Sequence, residues 1–258
     1  MTNYSQIKLF PNSLRGSIKI PPSKSLSHRA LICAALSQGT SEISNVLLSE
    51  DINTTIAALK HLGAKFEVLE DKVIVTGVKK LKYDNDPVYC NESGSTIRFL
   101  IPIFSLTNKR IEFTGKESLI NRPQTIYKKI FDHDQNIFIT EEDKIVVKGS
   151  IKAREYFIEG DVSSQFFSGL MFSLPLLKED SKIYYNGPLE SKSYIDLTIE
   201  MLDLFNENET ETIPQLQIEI EELKTQIKSH HKNQIELKLD MKDQIKEKRV
   251  VIKRLKEQ

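Results

Sequence analysis

The sequence has no excess of charge of either sign and no long apolar segment. Lysine plus arginine and aspartate plus glutamate number 36 each, so no overall basic field favours nucleic acid or an anionic membrane. No run of about 18 apolar residues occurs, and residues 1–10 lack the basic start and apolar core of a signal peptide. We therefore expect a cytoplasmic protein that binds neither nucleic acid nor a membrane.

Cysteine and histidine are scarce, and their placement predicts no metal site. Cys33 falls on an apolar helical face and Cys90 ends a predicted strand, so both are expected to be core residues in a reducing compartment. His28 is expected to be packed and hydrogen-bonded rather than a general base. His61 and His133 have no supporting residues in the sequence.

Glycine and aromatic residues are absent after Phe205. Residues 206–258 are instead rich in Glu, Lys, Gln and Ile, so we predict a domain at 1–205 and a charged amphipathic tail at 206–258. The tail has apolar residues at the heptad-like spacing of a helical coiled coil, which could mediate self-association: Leu216, Ile220, Leu223 and Ile227. LQIEIE and IELKLDM also alternate with period two, which leaves a short strand as the alternative.

The stretch PPSKSLSHRALICAAL predicts a helix with many donor groups at its start. Two prolines end any preceding strand, and Ser23 or Ser25 is a good N-cap. Lys24, Ser25 and Arg29 lie near the N-terminal end, where free N–H groups and the helix dipole favour a phosphate or carboxylate. For one motif alone, an ordinary capped helix with solvated charges is the alternative.

Similar hydroxyl clusters open two further apolar helices, ESGSTIRFLIPIF and DVSSQFFSGLMFSLPLL. Ser25, Ser95 and Ser164 follow one another at intervals of roughly 70 residues, which is consistent with successive structural units. The predicted elements repeat in the order β-α-β-α-β-β, and the third unit stops after its second helix. We therefore predict an α/β fold of repeated βαβαββ units in a pseudo-threefold domain. Its helix N-termini would converge on one face and suit a polyanionic small molecule.

Five motifs resemble, in order, those of the 3-phosphoshikimate 1-carboxyvinyltransferase (EPSP synthase) family, the enolpyruvyl transferases of the shikimate pathway. They lie within residues of about 8–205 and read KIPPSKSLSHRALICAAL, ESGSTIRFLIPI, NRPQ, GDVSSQF and SKSYIDLTIEML. A related family that transfers enolpyruvate to a UDP-amino sugar looks different at the SSQ and SxSYID positions. The resemblance implies half of the enolpyruvyl transferase fold and a step of chorismate and aromatic amino acid biosynthesis.

The reaction that the resemblance implies needs neither a metal nor another cofactor. The 5-hydroxyl of shikimate 3-phosphate attacks C2 of phosphoenolpyruvate while C3 is protonated, and the tetrahedral intermediate then expels phosphate. Glyphosate is an expected inhibitor. The substrates carry two phosphates and two carboxylates, which agrees with an anion site at the helix starts.

The resemblance also assigns site residues. Lys24 matches the lysine that contacts phosphoenolpyruvate between the two substrates, and it is the candidate catalytic residue. Gly94 and Arg122 match phosphoenolpyruvate ligands, the glycine because it lets the backbone approach the ligand. Glu92 stands where many family members have asparagine, and Arg98 is expected to be an inner, ion-paired residue. The residues that match ligands of shikimate 3-phosphate are Ser25, Arg29, Ser163, Ser164, Gln165, Ser191 and Tyr194, with Gln165 also near phosphoenolpyruvate.

In the family a second, similar domain closes the site and supplies the acidic residues thought to move protons. None of its motifs occurs in the tail, so we expect turnover by this chain to fall by orders of magnitude. The tail itself could cover apolar surface, pair with a partner chain, or result from a frameshift or recombination. Two hypotheses follow: a transferase of the shikimate pathway by descent, or a non-catalytic half-domain that binds phosphate ligands and self-associates through its tail.

Overall fold

The structure is a computed structural model that describes residues 21–70, 72–189, 191–206 and 252–255. The first predicted strand, GSIKI at residues 16–20, and most of the predicted tail lie outside the described residues. No helix within these described ranges is long and apolar enough to cross a membrane.

From its first helix onward, the first unit follows the predicted order. Its elements are α1 (Lys24–Leu36), β1 (Thr40–Ser44), α2 (Glu50–Lys60), β2 (Lys65–Val68) and β3 (Lys72–Thr76). Strand β3 lies between β1 and β2 and is antiparallel to both. Because side chains alternate along a strand, Val73 and Val75 of β3 are buried while their neighbours are more exposed.

The second unit contains every predicted element and one short helix, α4, that the sequence did not indicate. Its elements are β4 (Val88–Tyr89), α3 (Gly94–Ser105), β5 (Arg110–Thr114), α4 (Glu117–Ile120), α5 (Thr125–His133), β6 (Ile137–Thr140) and β7 (Lys144–Lys148). Four residues are too few to show a helical period in a sequence. Helix α5 begins two residues after Pro123 because Gln124 has non-helical dihedral angles.

The third unit has two strands and two helices in the predicted order. They are β8 (Glu155–Glu159), α6 (Ser164–Ser173), β9 (Lys182–Asn186) and α7 (Lys192–Asn206), with a 3-10 turn at Leu174–Leu176. Strands β8 and β9 are parallel, as β4 and β5 are in the second unit. Residues 207–251, which follow α7, lie outside the described part of the chain.

Two four-stranded sheets have the same strand order, except that their first edge strands come from different places in the chain. The second sheet has the order β4-β5-β7-β6, and the first has β10-β1-β3-β2, where β10 is Ile252–Leu255. In each sheet the strand between the two helices of the unit pairs antiparallel with the second strand of the following hairpin. The edge strand differs, because β4 is parallel to its neighbour whereas β10 is antiparallel to β1.

The helical prediction for the tail is wrong at the four residues that form β10. They pair with β1, so that Ile252 lies opposite Ile43 and Leu255 opposite Thr40. The run of β-branched residues at 250–252 favours a strand at this place. The coiled-coil prediction for residues 216–227 lies outside the described residues.

Helix α3 is the central helix of the core, and ten of its twelve residues are buried. Pro102 within it lacks the N–H that would bond to the carbonyl oxygen of Arg98. The hydroxyl of Tyr127, which is fully buried, donates to that carbonyl instead. Helix α6 packs closely here, because a Cβ atom on Gly169 would lie 2.2 Å from the Tyr127 hydroxyl and 2.4 Å from the Arg98 carbonyl oxygen.

Candidate anion-binding site at the helix N-termini

Each of the three hydroxyl-rich motifs begins a helix that a serine caps. Ser23, Ser93 and Ser163 cap α1, α3 and α6, and each Oγ accepts a backbone N–H at 3.2–3.4 Å. Of the two caps predicted for α1, the structure confirms Ser23. The cap of α3 is Ser93, two residues before Ser95. A helix leaves N–H groups of its first turn without an intrahelical acceptor, so each N-terminus keeps a positive dipole end.

Arg29 lies inside α1 and joins that helix to α6 and α7. Its Nε donates to Thr198 Oγ1 at 2.8 Å, and its Nη2 donates to the Tyr194 carbonyl at 2.9 Å and to Ser168 Oγ at 3.2 Å. Its Nη1 donates to the Ser25 carbonyl oxygen at 2.9 Å. Sequence reasoning missed Ser168 and Thr198. Thr198 follows the assigned residue Tyr194 by one helical turn, which is the signal that could have found it.

The buried charge of Arg29 has only neutral partners. The side chain is 2% exposed, its Cζ lies 5.2 Å from the centre of the Phe99 ring, and it forms no ion pair with any described carboxylate. Burial is the main reason that the pKa of Arg29 falls to about 10, so the guanidinium stays charged at neutral pH. A desolvated cation without a carboxylate creates a positive potential that an anionic ligand would compensate.

Gly94 and Arg122, which the resemblance assigns to one ligand, lie in contact. A Cβ atom on Gly94 would lie 2.8 Å from Arg122 Nη1, so the guanidinium approaches the first turn of α3 only because this residue is glycine. Arg122 follows α4, is exposed, and makes no side-chain hydrogen bond or ion pair with another described residue. The structure therefore presents a free guanidinium at a helix N-terminus.

Arg98 and Gln165 complete this group, and the prediction that Arg98 is ion-paired is wrong. Arg98 Nη1 donates to Gln165 Oε1 at 3.0 Å and Nη2 to the Pro123 carbonyl at 3.2 Å, while its Cζ lies 4.7 Å from the Phe166 ring centre. No described carboxylate pairs with it. Gln165 Nε2 in turn donates to Ser95 Oγ at 2.9 Å. Burial lowers the pKa of Arg98, and the nearby charge of Arg122 adds to that effect.

Lys24, the candidate catalytic lysine, is the first residue of α1, with half of its side chain exposed. Its Nζ lies 2.8 Å from Asp51 Oδ2 in the first turn of α2. An exposed ion pair of this kind is worth at most about 1 kcal/mol. An anionic ligand can therefore compete with Asp51 for the ammonium group.

The other assigned residues lie at the starts of α6 and α7. Ser164 is the first residue of α6 and is 7% exposed, next to the cap Ser163. Ser191 precedes α7, and its carbonyl oxygen accepts the N–H of Tyr194 at 3.1 Å. The ring of Tyr194 is 46% exposed, and its centre lies 5.9 Å from Arg29 Cζ. Of these residues, Tyr194 lies beside the buried guanidinium of Arg29.

A buried chain of hydrogen bonds links α1, α2 and the cap of α3, which sequence reasoning did not predict. His28 Nδ1 lies 2.9 Å from Thr55 Oγ1, which lies 2.6 Å from Thr96 Oγ1. Thr96 Oγ1 donates to Ser93 Oγ at 2.7 Å. All four side chains are at most 1% exposed. The expectation of a packed, hydrogen-bonded His28 is confirmed, and burial lowers its pKa to about 4.

The remaining cysteine and histidine predictions have mixed outcomes. Cys33 and Cys90 are free and buried, as expected. The prediction that His61 has no supporting residues is wrong, because its Nδ1 lies 2.8 Å from Asp84 Oδ2 and Asp86 lies nearby. This group is partly or fully exposed, and an ordinary surface hydrogen bond accounts for it.

The site combines capped helix N-termini with arginines that lack carboxylate partners. One group contains Gly94, Ser95, Arg98, Arg122 and Gln165, and the second surrounds Arg29. Helix α6 contributes to both groups. Gln165 donates a hydrogen bond to Ser95 in the first, and Ser168 accepts one from Arg29 in the second. Such an arrangement suits phosphate and carboxylate groups.

These features describe an α/β protein with a candidate site for anionic small molecules. The chain belongs to the EPSP synthase family, because the family model described as EPSP synthase (3-phosphoshikimate 1-carboxyvinyltransferase) matches residues 10–236. A 3-phosphoshikimate 1-carboxyvinyltransferase of Clostridium perfringens is 49% identical over 203 residues, which are 78% of this chain and 48% of that protein. One from Clostridioides difficile is 41% identical over 211 residues, with 77% and 48% covered. The motif resemblance is therefore confirmed.

A solved EPSP synthase from Acinetobacter baumannii has the same fold, with a TM-score of 0.62 at 24% identity. The match covers 73% of this chain and 43% of that one. The chain spans about half the length of the curated relatives it matches.

Proposed function

We propose that this chain forms one face of the site in which an enolpyruvyl transferase of the shikimate pathway joins phosphoenolpyruvate to the 5-hydroxyl of shikimate 3-phosphate and releases phosphate. The observation that carries the proposal is the placement of Arg29, Arg98 and Arg122 beside serine-capped helix N-termini without a carboxylate partner among the described residues. The family membership and the relatives' names supply the reaction.

The phosphoenolpyruvate subsite is proposed at the start of α3. Arg122 has its donors free and can bind a carboxylate or phosphate in the bidentate geometry that guanidinium groups favour. Gly94 leaves room for that approach, and Gln165 stands 3.7 Å from the position of the absent Cβ atom. Glyphosate, which carries a phosphonate and a carboxylate, would compete at the same place.

The shikimate 3-phosphate subsite is proposed around Arg29, from residues of α1, α6 and α7. Arg29 has five N–H donors, of which its contacts within the protein use four, so one N–H of Nη1 remains for a ligand. The resemblance assigns the contacts to the phosphate and ring hydroxyls of the substrate to the hydroxyl groups of Ser25, Ser163, Ser164, Ser191 and Tyr194.

Lys24 is proposed to act between the two subsites. On leaving Asp51 its ammonium group would contact phosphoenolpyruvate and stabilise the negative charge that develops as the phosphate group departs. The helix N-termini would stabilise the same charge without rearrangement, because the backbone fixes their positions. Arg122 would add a mobile cation. No metal or other cofactor has a role in these steps.

We also propose the finer organisation that the sequence predicts. The shared strand order of the two sheets supports repeated units about a pseudo-threefold axis, which form half of the enolpyruvyl transferase fold. The change in composition after Phe205 supports a boundary at residues 205 and 206, although the family match runs on to residue 236. Two free, buried cysteines support a cytoplasmic location. The balanced charge argues against binding to nucleic acid or membranes.

The direct test is phosphate release by the purified chain given both substrates together, with each substrate alone as a control. Release that needs both would show that the chain, or a second copy of it, completes the site. The other candidate function is a binding half-domain that self-associates through the heptad-like residues of its tail. Binding of both ligands by a folded chain without release of phosphate would assign that role.

Residue roles can be tested by ligand affinity. Lys24→Ala and Arg122→Ala should each weaken phosphoenolpyruvate binding more than Arg29→Lys does, because Arg29 lies in the other subsite. Lys128→Ala is a matched control, since Lys128 also forms an exposed helical ion pair, with Asp132. Equal losses from all four variants would contradict the assigned roles.

A further inference from the structure

We propose that the carboxylate of Glu92, held by Lys116, weakens anion binding at the N-terminus of α3 and so determines how strongly that subsite takes phosphoenolpyruvate. The inference rests on the proposed function, because it concerns the same subsite. It assigns a specificity-determining pair of charges that neither contacts the reacting atoms nor belongs to the predicted set of ligands.

Glu92 is the residue before the cap of α3, and two contacts fix its carboxylate. Oε2 lies 3.2 Å from Lys116 Nζ, and Oε1 accepts a hydrogen bond from Ser118 Oγ at 3.1 Å. Both partners lie at the start of α4, the short helix that ends just before Arg122. These contacts hold the carboxylate against the start of α4, although half of the Glu92 side chain is exposed.

The negative charge acts on the free guanidinium of Arg122. Gly94, which Arg122 Nη1 approaches, is only two residues beyond Glu92. The pKa of the Glu92 carboxyl is lowered chiefly by hydrogen bonds from Lys116 and Ser118 and further by the charge of Arg122. Because charge interactions are mutual, an anion bound to Arg122 also experiences Glu92, and it is repelled.

Lys116 partly cancels this repulsion, which predicts opposite effects for the two partners. Removal of the Glu92 charge eliminates the repulsion and frees a cation near the subsite. Removal of the Lys116 charge leaves Glu92 unopposed. A purely structural role for the pair would differ, because loss of either partner would loosen α4 and weaken binding through Arg122. The signs of the two effects thus separate the electrostatic role from a structural one.

The test measures the dissociation constant of phosphoenolpyruvate for the full chain by phosphorus NMR at ionic strengths of about 0.02 M and about 0.5 M. We expect Glu92→Gln to bind about two- to fivefold more tightly at low salt, and Lys116→Gln to bind more weakly by a similar factor. Both differences should shrink at high salt because the pair is exposed. Glu159→Gln is the matched control, since it breaks an exposed glutamate–lysine pair between β8 and α5 that involves neither α3 nor α4.

The outcomes distinguish this inference from the function on which it rests. Absence of binding by the unsubstituted chain, or binding that Arg122→Gln leaves unchanged, would overturn the phosphoenolpyruvate subsite and the inference with it. If Arg122→Gln abolishes binding but both Glu92→Gln and Lys116→Gln weaken it, the subsite stands and the electrostatic role of Glu92 is refuted. An equal gain in affinity in the Glu159→Gln control would show that the effect comes from the overall charge of the protein. That result would also refute the specific role of Glu92.

Discussion

Replacement of His28 by asparagine should change how the free energy of unfolding depends on pH. The imidazole is 1% exposed, and its Nε2 atom has no hydrogen-bond partner. Protonation would place a full charge on this ring in the core. Burial is the largest cause of its lowered pKa, the charges of Lys24 and Arg29 add to it, and Asp51 opposes it.

The magnitude follows from the two pKa values. The pKa is about 4 in the folded chain and 6.5 for an ordinary histidine, so the unfolded chain binds more protons between these values. His28 therefore contributes its full stabilisation above pH 6.5, and this is lost as the pH falls towards 4. The loss is about 3 kcal/mol, since each pKa unit corresponds to about 1.4 kcal/mol.

The assay is urea unfolding of the full chain and of His28→Asn at several pH values between 7 and 4. Asparagine can still bond to Thr55, and the cost of its smaller volume does not depend on pH. The stability difference between the two proteins should therefore shrink by about 3 kcal/mol as the pH falls to 4. Carboxylates that titrate in this range cancel in the difference. A constant difference across the range would refute the lowered pKa.

Three further substitutions test the packing around the site. Gly94→Ala should displace Arg122 and so weaken phosphoenolpyruvate binding. The free energy of unfolding should change by less than about 1 kcal/mol, because the flexible Arg122 side chain can move. Unchanged affinity would contradict this prediction. Gly169→Ala should cost about 1–3 kcal/mol in urea unfolding, because its Cβ meets the Tyr127 hydroxyl and a backbone carbonyl, and unaltered stability would refute the close packing. Arg29→Lys should lower stability by about 2 kcal/mol or more, since an ammonium group cannot reach acceptors on three helices, and full stability would disprove the bridging role.

The sequence predicted the order of the helices and strands because their signals are local. Serine caps and apolar runs mark the helices of the hydroxyl-rich motifs, and alternation marks strands such as β3 and β5. Helix α4 was missed because four residues show no period. Strand β10 was missed because lysine and glutamate around it favoured a helix, whereas pairing with β1 is a long-range contact.

The sequence predicted the types of residue in the candidate site but not the hydrogen bonds between them. The motif order identified Gly94 and Arg122 as partners of one ligand, and the structure brings them into contact. The partners of Arg98 could not be predicted, because Gln165 lies 67 positions further along the chain. An arginine in an apolar helix usually suggests an ion pair, since buried charges are costly. Here neutral acceptors and an aromatic ring take that place.

The two kinds of cation in the site should respond differently to substitution. Arg29 and Arg98 are held by acceptors on several elements, so their positions are fixed before any ligand arrives and their loss would disturb helix packing. Lys24 and Arg122 are exposed. Among the described residues, Lys24 forms one weak ion pair, with Asp51, and Arg122 forms none. Substitution of the exposed cations should therefore change ligand affinity with little change in stability. Arg29 and Arg98 therefore provide positive charge that is already in position, and the exposed cations add mobile donors, so the entropy cost of ligand binding falls mainly on Lys24 and Arg122.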